Sequence, residues 1–95
     1  MVKVIQERRC KPGKEEELKK LLEELRSRAF QRHGSYAWET LRSMDDPSVW
    51  LVIASWTFVK EWTDWQNNPE RQEIIRKIEP LLTEPARESV FEFAQ

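Results

Sequence analysis

Residue types that build common catalytic sites are scarce in this chain. Its 95 residues include one cysteine, Cys10, and one histidine, His33. No intrachain disulfide can form, and one Cys with one His cannot supply the three or four ligands of a zinc site. The two glycines, Gly13 and Gly34, are too few for a glycine-rich phosphate-binding loop. His33 falls in a polar segment, where we expect an ordinary loop residue rather than part of a Ser-His-Asp triad.

Charge of one sign and long hydrophobic runs are also lacking. The 16 basic and 17 acidic residues are interspersed and give a net charge of −1, so no field attracts nucleic acid or an anionic membrane. No apolar run approaches the roughly 20 residues of a transmembrane helix, and the N-terminus does not resemble a signal peptide. We therefore expect a cytoplasmic protein with a single domain over residues 1 to 95 that binds neither nucleic acid nor membrane.

The first half of the chain predicts a strand and a helix. Residues 2 to 8 are rich in β-branched side chains and end at the turn-forming residues 11 to 13. Residues 14 to 30 form an amphipathic helix with one apolar stripe. The stripe consists of Leu18, Leu21, Leu22, Leu25 and Ala29.

The second half predicts a hairpin, a broken helix and a last strand. Residues 35 to 43 and 49 to 56 read as antiparallel strands flanking a turn, and residues 87 to 93 as the final strand. A short helix over 57 to 66 would place three aromatic residues on one side: Phe58, Trp62 and Trp65. Another helical segment follows, with Asn68 as its N-cap and Pro69 in its first turn. Pro80 is expected to end or kink this segment.

The order strand, helix, strand, strand, helix, strand predicts a ferredoxin-like α+β fold. Such a βαββαβ chain forms a four-stranded antiparallel sheet with its helices on one face. The strand segment 49 to 54 is apolar throughout, and Phe91 and Phe93 fall on one face of the last strand. A second apolar face requires a cover. We therefore expect a homodimer formed through the sheet face.

The aromatic residues are numerous for so small a chain: five Trp, four Phe and one Tyr. Spacing predicts that Trp62 and Trp65 pack in the core. Trp50 and Trp56 share one face of a strand, and Tyr36 and Trp38 share one face of its neighbour. Such rings could line a cavity for a flat organic ligand or pack at a dimer interface, and sequence periodicity does not separate the two.

Several segments resemble the antibiotic biosynthesis monooxygenase family over nearly the whole chain. They are "VIQERRCKPGKEEELKKLLEELRSRA", "ETLRSMDDPSVWLVIASW", "EWTDWQNNPERQEI" and "IEPLLTEPARESVFEF". The resemblance implies a homodimeric α/β barrel with a pocket between the sheet and helices of each subunit. Some members oxidise anthrones or quinols with molecular oxygen and without metal or flavin, whereas others bind and degrade heme.

The resemblance also implies candidate site residues. Trp65 stands where the family has a pocket tryptophan, and Gln6 stands near an asparagine used by the heme-degrading branch. That branch has its heme-ligating histidine ten residues after the tryptophan, where this chain has Ile75. Heme ligation in that manner is therefore not expected, and we predict no cofactor.

Three functional hypotheses remain open, of which the third is heme binding through a ligand other than the histidine of the heme-degrading branch. In the first, the protein is a cofactor-independent monooxygenase that binds a phenol, quinol or anthrone-like substrate. Trp65 and Gln6 would be catalytic, and four residues would contact the substrate: Arg8, Tyr36, Trp38 and Trp56. No general base is evident. In the second, the protein is a homodimer that binds a small ligand without catalysis.

Overall fold

The helices and strands follow one another in the predicted order. A computed structural model describes residues 1 to 32 and 34 to 94, apart from the side chains of Gln31 and Arg32; the expectation for His33 lies outside the described residues. The elements are β1 (Val2–Arg9), α1 (Glu15–Arg32), β2 (Ser35–Arg42), β3 (Val49–Trp56), α2 (Val59–Gln66), α3 (Pro69–Ile78) and β4 (Arg87–Glu92). A 3₁₀ turn, Glu79–Leu81, follows α3. The predicted ferredoxin-like βαββαβ fold is confirmed.

The four strands form one antiparallel sheet in the order β2-β3-β1-β4. Strand β1 is central, and its residue Gln6 lies between Val52 of β3 and Glu88 of β4. Side chains of a strand alternate between faces. The buried residues of β1 are therefore its even-numbered ones, Val2, Val4, Gln6 and Arg8, which point toward the helices.

Helix α1 extends two residues beyond the predicted end, to Arg32. Its stripe residues Leu18, Leu22, Leu25 and Ala29 are fully buried, so the helix is held by packing along its length. Gly34, just beyond the helix, has a φ of 86°, a left-handed conformation that favours glycine.

The predicted break between α2 and α3 is confirmed. The side chain of Asn68 accepts a hydrogen bond of 2.8 Å from the backbone N–H of Glu70, and Pro69 begins α3. Because proline has no N–H to contribute, the first helical turn suits it. At the other end, α3 stops at Ile78 and Pro80 lies in the 3₁₀ turn, as expected.

One aromatic residue of this region differs from the prediction. Phe58 does not share the buried side of α2 with Trp62 and Trp65; it is 66% exposed. It is the N-cap of α2 and has an extended backbone, so its side chain is not part of the helical stripe. Its backbone N–H donates to the carboxylate of Glu61 at 3.0 Å, which helps to fix the start of the helix.

The two sides of the sheet differ in burial. Trp56 and Trp62 pack between sheet and helices with ring centroids 5.9 Å apart. The opposite side, called here the open face, carries the half-buried Leu51 and Ile53 and the exposed Leu41 and Phe91. The predicted second apolar face is therefore present. Within residues 1 to 32 and 34 to 94, none of the helices has the length and apolar character needed to cross a membrane.

Candidate functional site

A cavity of about 510 Å³ lies between β1, β4, α3 and the segment 79 to 86. Its size is in the range of small-molecule sites. It has three parts: a polar floor, an apolar wall and an exposed acidic rim. The floor consists of Gln6, Arg8, Arg71 and Glu88; the wall of Ile75, Ile78, Leu82, Pro85 and Ala86; and the rim of Glu79, Thr83 and Glu84.

Strand β1 supplies two residues of the floor. Gln6 and Arg8 follow Val2 and Val4 in the alternation of the strand, so their side chains point into the protein, where each is 3% exposed. The amide oxygen Oε1 of Gln6 and the guanidinium nitrogen Nη1 of Arg8 are both buried, and neither has a hydrogen-bond partner among the described residues. Buried polar atoms are usually satisfied. Both atoms are therefore available to a ligand.

Helix α3 supplies the third floor residue, Arg71. It lies three and seven residues before Ile74 and Ile78, on the buried side of the helix, and is 8% exposed. The guanidinium carbon lies 5.2 Å from the centroid of the Trp62 ring, a cation–π contact. Its Nε is buried and unpaired within the described part of the chain. Arg71 is thus held by its neighbours while one of its donors stays unused.

Strand β4 contributes the floor carboxylate, Glu88. It pairs with Gln6 across the sheet. One carboxylate oxygen lies 3.7 Å from Nη2 of Arg71, and the other accepts a hydrogen bond of 3.4 Å from the side-chain amide of Gln66. The Glu88 side chain is 29% exposed. Glu88 therefore joins Arg71 to the water-accessible part of the cavity.

The electrostatics of the floor favour an anion. Burial, reinforced by repulsion from Arg71 and partly opposed by Glu88, lowers the pKa of Arg8 to about 10. Burial also lowers the pKa of Arg71, again opposed by Glu88. Arginine remains cationic near neutral pH, so both residues keep their charges. The floor then holds two poorly solvated positive charges and the negative charge of the more exposed Glu88.

The rim is acidic but well solvated. Glu79 and Glu84 are exposed. The carboxylate of Glu84 lies 3.2 Å from Nε of Arg9, whose Nη1 also binds Asp46 at 2.9 Å. Exposed charges of this kind interact weakly across water and salt. The rim therefore does not neutralise the arginines below it.

The wall gives the cavity its apolar surface. Ile75 lies there, at the position where the resemblance would place a heme-ligating histidine in another branch. A hydrocarbon side chain cannot ligate iron. The described residues also contain no group of three or more His, Cys, Asp or Glu placed to hold a metal ion. The wall is suited to the body of an apolar ligand.

The structure brings only two of the six predicted site residues to this cavity, Gln6 and Arg8. Trp65 is 1% exposed in the core and is not one of the lining residues, and Trp56 is fully buried against Trp62. Trp38 is partly buried on β2, and Tyr36 is 44% exposed where the register of β2 shifts. The expected roles of these four aromatic residues stay predictions.

Sequence reasoning missed Arg71 and Glu88. A signal existed for Arg71, which falls on the helical stripe of Ile74 and Ile78, where an arginine is unusual. A weaker one existed for Glu88, which shares a strand face with Val90. Neither signal indicates that Arg71 and Glu88 line the same cavity as Arg8.

Comparison with known proteins identifies the family and its fold. The model of the antibiotic biosynthesis monooxygenase family matches residues 1–77. Protein SchA of Streptomyces halstedii is 26% identical over 70 residues, which are 74% of this chain but only 18% of that protein.

Solved structures agree in fold. SnoaB of Streptomyces nogalater, a cofactor-independent oxygenase solved as a variant, is 16% identical with a TM-score of 0.88, covering 99% of this chain and 93% of that one. A Caulobacter crescentus protein provisionally assigned to the same family is 13% identical with a TM-score of 0.91, covering 99% and 90%. At such identities the likeness concerns the fold alone. The family match covers most of the sequence, and the chain therefore belongs to the antibiotic biosynthesis monooxygenase family.

Proposed function

We propose that the protein is a cytoplasmic, cofactor-independent monooxygenase that acts on an electron-rich aromatic substrate, a phenol, quinol or anthrone. The observation that carries the proposal is the cavity itself, in which two buried polar atoms, Oε1 of Gln6 and Nη1 of Arg8, lack partners among the described residues beside an apolar wall. A flat ring fits the wall, and its oxygens fit the floor. Family membership supports the reaction type.

The floor would favour the reactive form of such a substrate. Loss of a proton from an anthrone or phenol to water gives an anion, and the Arg8 guanidinium stabilises that charge more strongly in a poorly solvated site than in water. The anion supplies the electrons for oxygen. For an anthrone, one O₂ gives one new carbonyl group and one water. Gln6 would orient an oxygen of the substrate, and the enclosing walls would limit side reactions with water.

Oxygen uptake tests this proposal. Purified protein with anthrone or menadiol is expected to consume oxygen above the rate of the buffer, and Gln6→Leu is expected to lower the turnover rate about 10-fold or more by removing one oriented hydrogen bond. Trp65→Phe, compared with Trp50→Phe at a buried tryptophan of β3 that does not line the cavity, tests the predicted role of Trp65. If Trp65 is catalytic, Trp65→Phe lowers the rate of oxygen uptake and Trp50→Phe does not. No uptake above background with any electron-rich aromatic contradicts the proposal.

A second candidate function is ligand binding without catalysis. It is favoured by the composition of the cavity, whose described lining residues include no histidine. The carboxylates there are either exposed, as in Glu79 and Glu84, or placed beside Arg71, as in Glu88. None is an evident general base. In this case aromatic ligands bind, but oxygen uptake stays at background.

We also propose that residues 1 to 95 act as one domain in a homodimer formed through the open face. Leu51 and Ile53 are only partly covered within one chain, and Leu41 and Phe91 are about half exposed, at 45% and 53%. Apolar patches of this kind are usually covered in solution. A second copy of the same face is self-complementary about a twofold axis.

A further inference from the structure

We propose that the cavity selects aromatic ligands that carry a carboxylate, which binds on the floor between Arg8 and Arg71. This deepens the proposed function by naming a class of substrate. It rests on the proposed function for the oxidation step only, since binding of the carboxylate requires only the cavity.

The first support is the set of unused donors. Nη1 of Arg8 and Nε of Arg71 are buried, belong to residues that are 3% and 8% exposed, and have no hydrogen-bond partner in the described part of the chain. Unsatisfied buried donors on charged groups are costly. Two guanidinium groups that line the same cavity can each donate to one oxygen of a carboxylate.

The second support is the charge of the floor. Glu88, 3.7 Å from Arg71, is the one floor carboxylate for two arginines. The rim residue Glu84 is already paired with Arg9 on the exposed side. A buried charge without a counterion is unfavourable. One additional anion on the floor would neutralise it.

The chemistry of that anion follows from its surroundings. A phenol, with an ordinary pKa of about 10, is neutral at pH 7 and would have to lose a proton before it could neutralise the floor. A carboxylate is already ionised. Glu88 shows that the floor accommodates this group, because its own carboxylate lies beside Arg71.

The rest of the cavity fixes the orientation of the ligand. The aromatic body would pack on Ile75, Ile78 and Leu82. The exposed carboxylates of Glu79 and Glu84 at the rim disfavour a second anionic group at that end. Oε1 of Gln6 has no partner among the described residues and can accept a hydrogen bond, so a hydroxyl group near the carboxylate would add affinity.

Matched ligands test the proposal on the wild-type chain. Benzoate, 2-naphthoate and anthracene-2-carboxylate are compared by calorimetry at pH 7 with the alcohols in which CH₂OH replaces the carboxylate. At least one carboxylate is expected to bind about 10-fold or more tightly than its alcohol. Equal binding of acid and alcohol overturns the proposal, as does the failure of every carboxylate to bind at about 10 mM.

Variants locate the binding to the floor. Arg8→Met and Arg71→Met are each expected to weaken carboxylate binding about 10-fold or more, whereas Arg76→Met, an exposed arginine of the same helix α3, leaves it unchanged. Glu88→Gln removes the resident carboxylate and is expected to tighten binding. Binding unaffected by both floor substitutions overturns the proposal. If a methionine variant does not fold, Arg8→Lys and Arg71→Lys replace it, since lysine retains the charge but loses the paired donors. These variants are expected to weaken carboxylate binding less than the methionine variants.

Oxygen uptake separates this inference from the proposed function. Carboxylate binding that depends on Arg8 and Arg71, without oxygen uptake, supports the inference and contradicts the monooxygenase. Oxygen uptake with neutral anthrone, without any preference for carboxylates in binding, supports the monooxygenase and contradicts the inference.

Discussion

Arg8 and Arg71 place two positive charges on one side of the sheet, below the helices, in a protein whose net charge is −1. Most charged residues of this chain lie on the surface, where water and salt reduce their interactions. The two floor arginines are instead 3% and 8% exposed, so their solvation is largely lost. The lowered pKa of Arg8 reflects this loss and the repulsion from Arg71. Without a ligand, the arginine pair should therefore cost stability.

Replacing Arg8 tests that cost. We expect Arg8→Met to raise the free energy of unfolding of the ligand-free protein by roughly 1 to 3 kcal/mol, because a buried charge is replaced by an apolar side chain of similar length. Urea denaturation measures the change. The exposed Arg76→Met is the control and should stay within about 0.5 kcal/mol of wild type. A loss of stability in Arg8→Met would mean that the native contacts of Arg8 outweigh its burial.

The difference in the free energy of unfolding between wild type and Arg8→Met has a defined pH dependence. The pKa of Arg8 is lower in the folded protein, about 10, than in the unfolded chain, so the unfolded state retains the proton over the interval between the two values. The destabilising effect is present in full below the folded pKa and diminishes as the pH rises above it. The difference between wild type and Arg8→Met should therefore be constant from about pH 6 to 9.

At the scale of the elements, the break between α2 and α3 positions the cavity. Helix α3 carries Arg71 on the floor and Ile75 and Ile78 on the wall. Its start is fixed by Asn68, which receives the hydrogen bond from the backbone of Glu70, and its direction is further tied to α1 by the Arg28–Glu70 contact of 3.5 Å. The capping residue therefore affects both the stability of the helix and the position of the floor.

Substitution of the cap tests this link. Asn68→Ala should lower the free energy of unfolding by about 1 kcal/mol, since a helix N–H loses its partner. Asn68→Asp keeps an acceptor and should be close to wild type. Both changes are measured by urea denaturation. Equal destabilisation by the two variants would show that a contact other than the cap is lost.

At the scale of the whole molecule, one chain leaves the open face of the sheet partly uncovered. Its central strands present half-buried aliphatic residues, and its edge strands add the exposed Leu41 and Phe91. The helices already cover the other face. The dimer proposed above would cover the open face and leave the cavity, on the side of the helices, accessible in each copy.

A charge on the open face should break the dimer. Sedimentation of the wild type at micromolar concentration is expected to give about twice the chain mass of 11.5 kDa. Leu51→Lys adds a charge to the open face of each copy, which the dimer would bury, and should weaken association about 100-fold or more. Val59→Lys, at an exposed apolar residue of α2, is the matched control. A wild-type monomer at these concentrations contradicts the dimer.

The fold was predictable because its signals are local. The stripe of Leu18, Leu22 and Leu25, the Asn68-Pro69 helix start and the turn before β3 each act within a few residues. Two details differ from the prediction: α1 ends at Arg32, two residues later than expected, and Phe58 precedes α2 instead of lying on its buried side. Two of the predicted site residues, Gln6 and Arg8, line the cavity, and their alternation with the buried Val4 is a local pattern, but their roles stay predictions.

The sequence by itself determined the order of elements, the break in the second helix and the apolar character of both sheet faces. Hydrophobic periodicity and helix capping depend on residues that are close together in the sequence. Only the tertiary structure decided that Arg8, Arg71 and Glu88 share one cavity while Trp65 lies in the core. The three charged residues come from β1, α3 and β4. Their meeting depends on strand register and helix packing, which arise from contacts between distant parts of the chain.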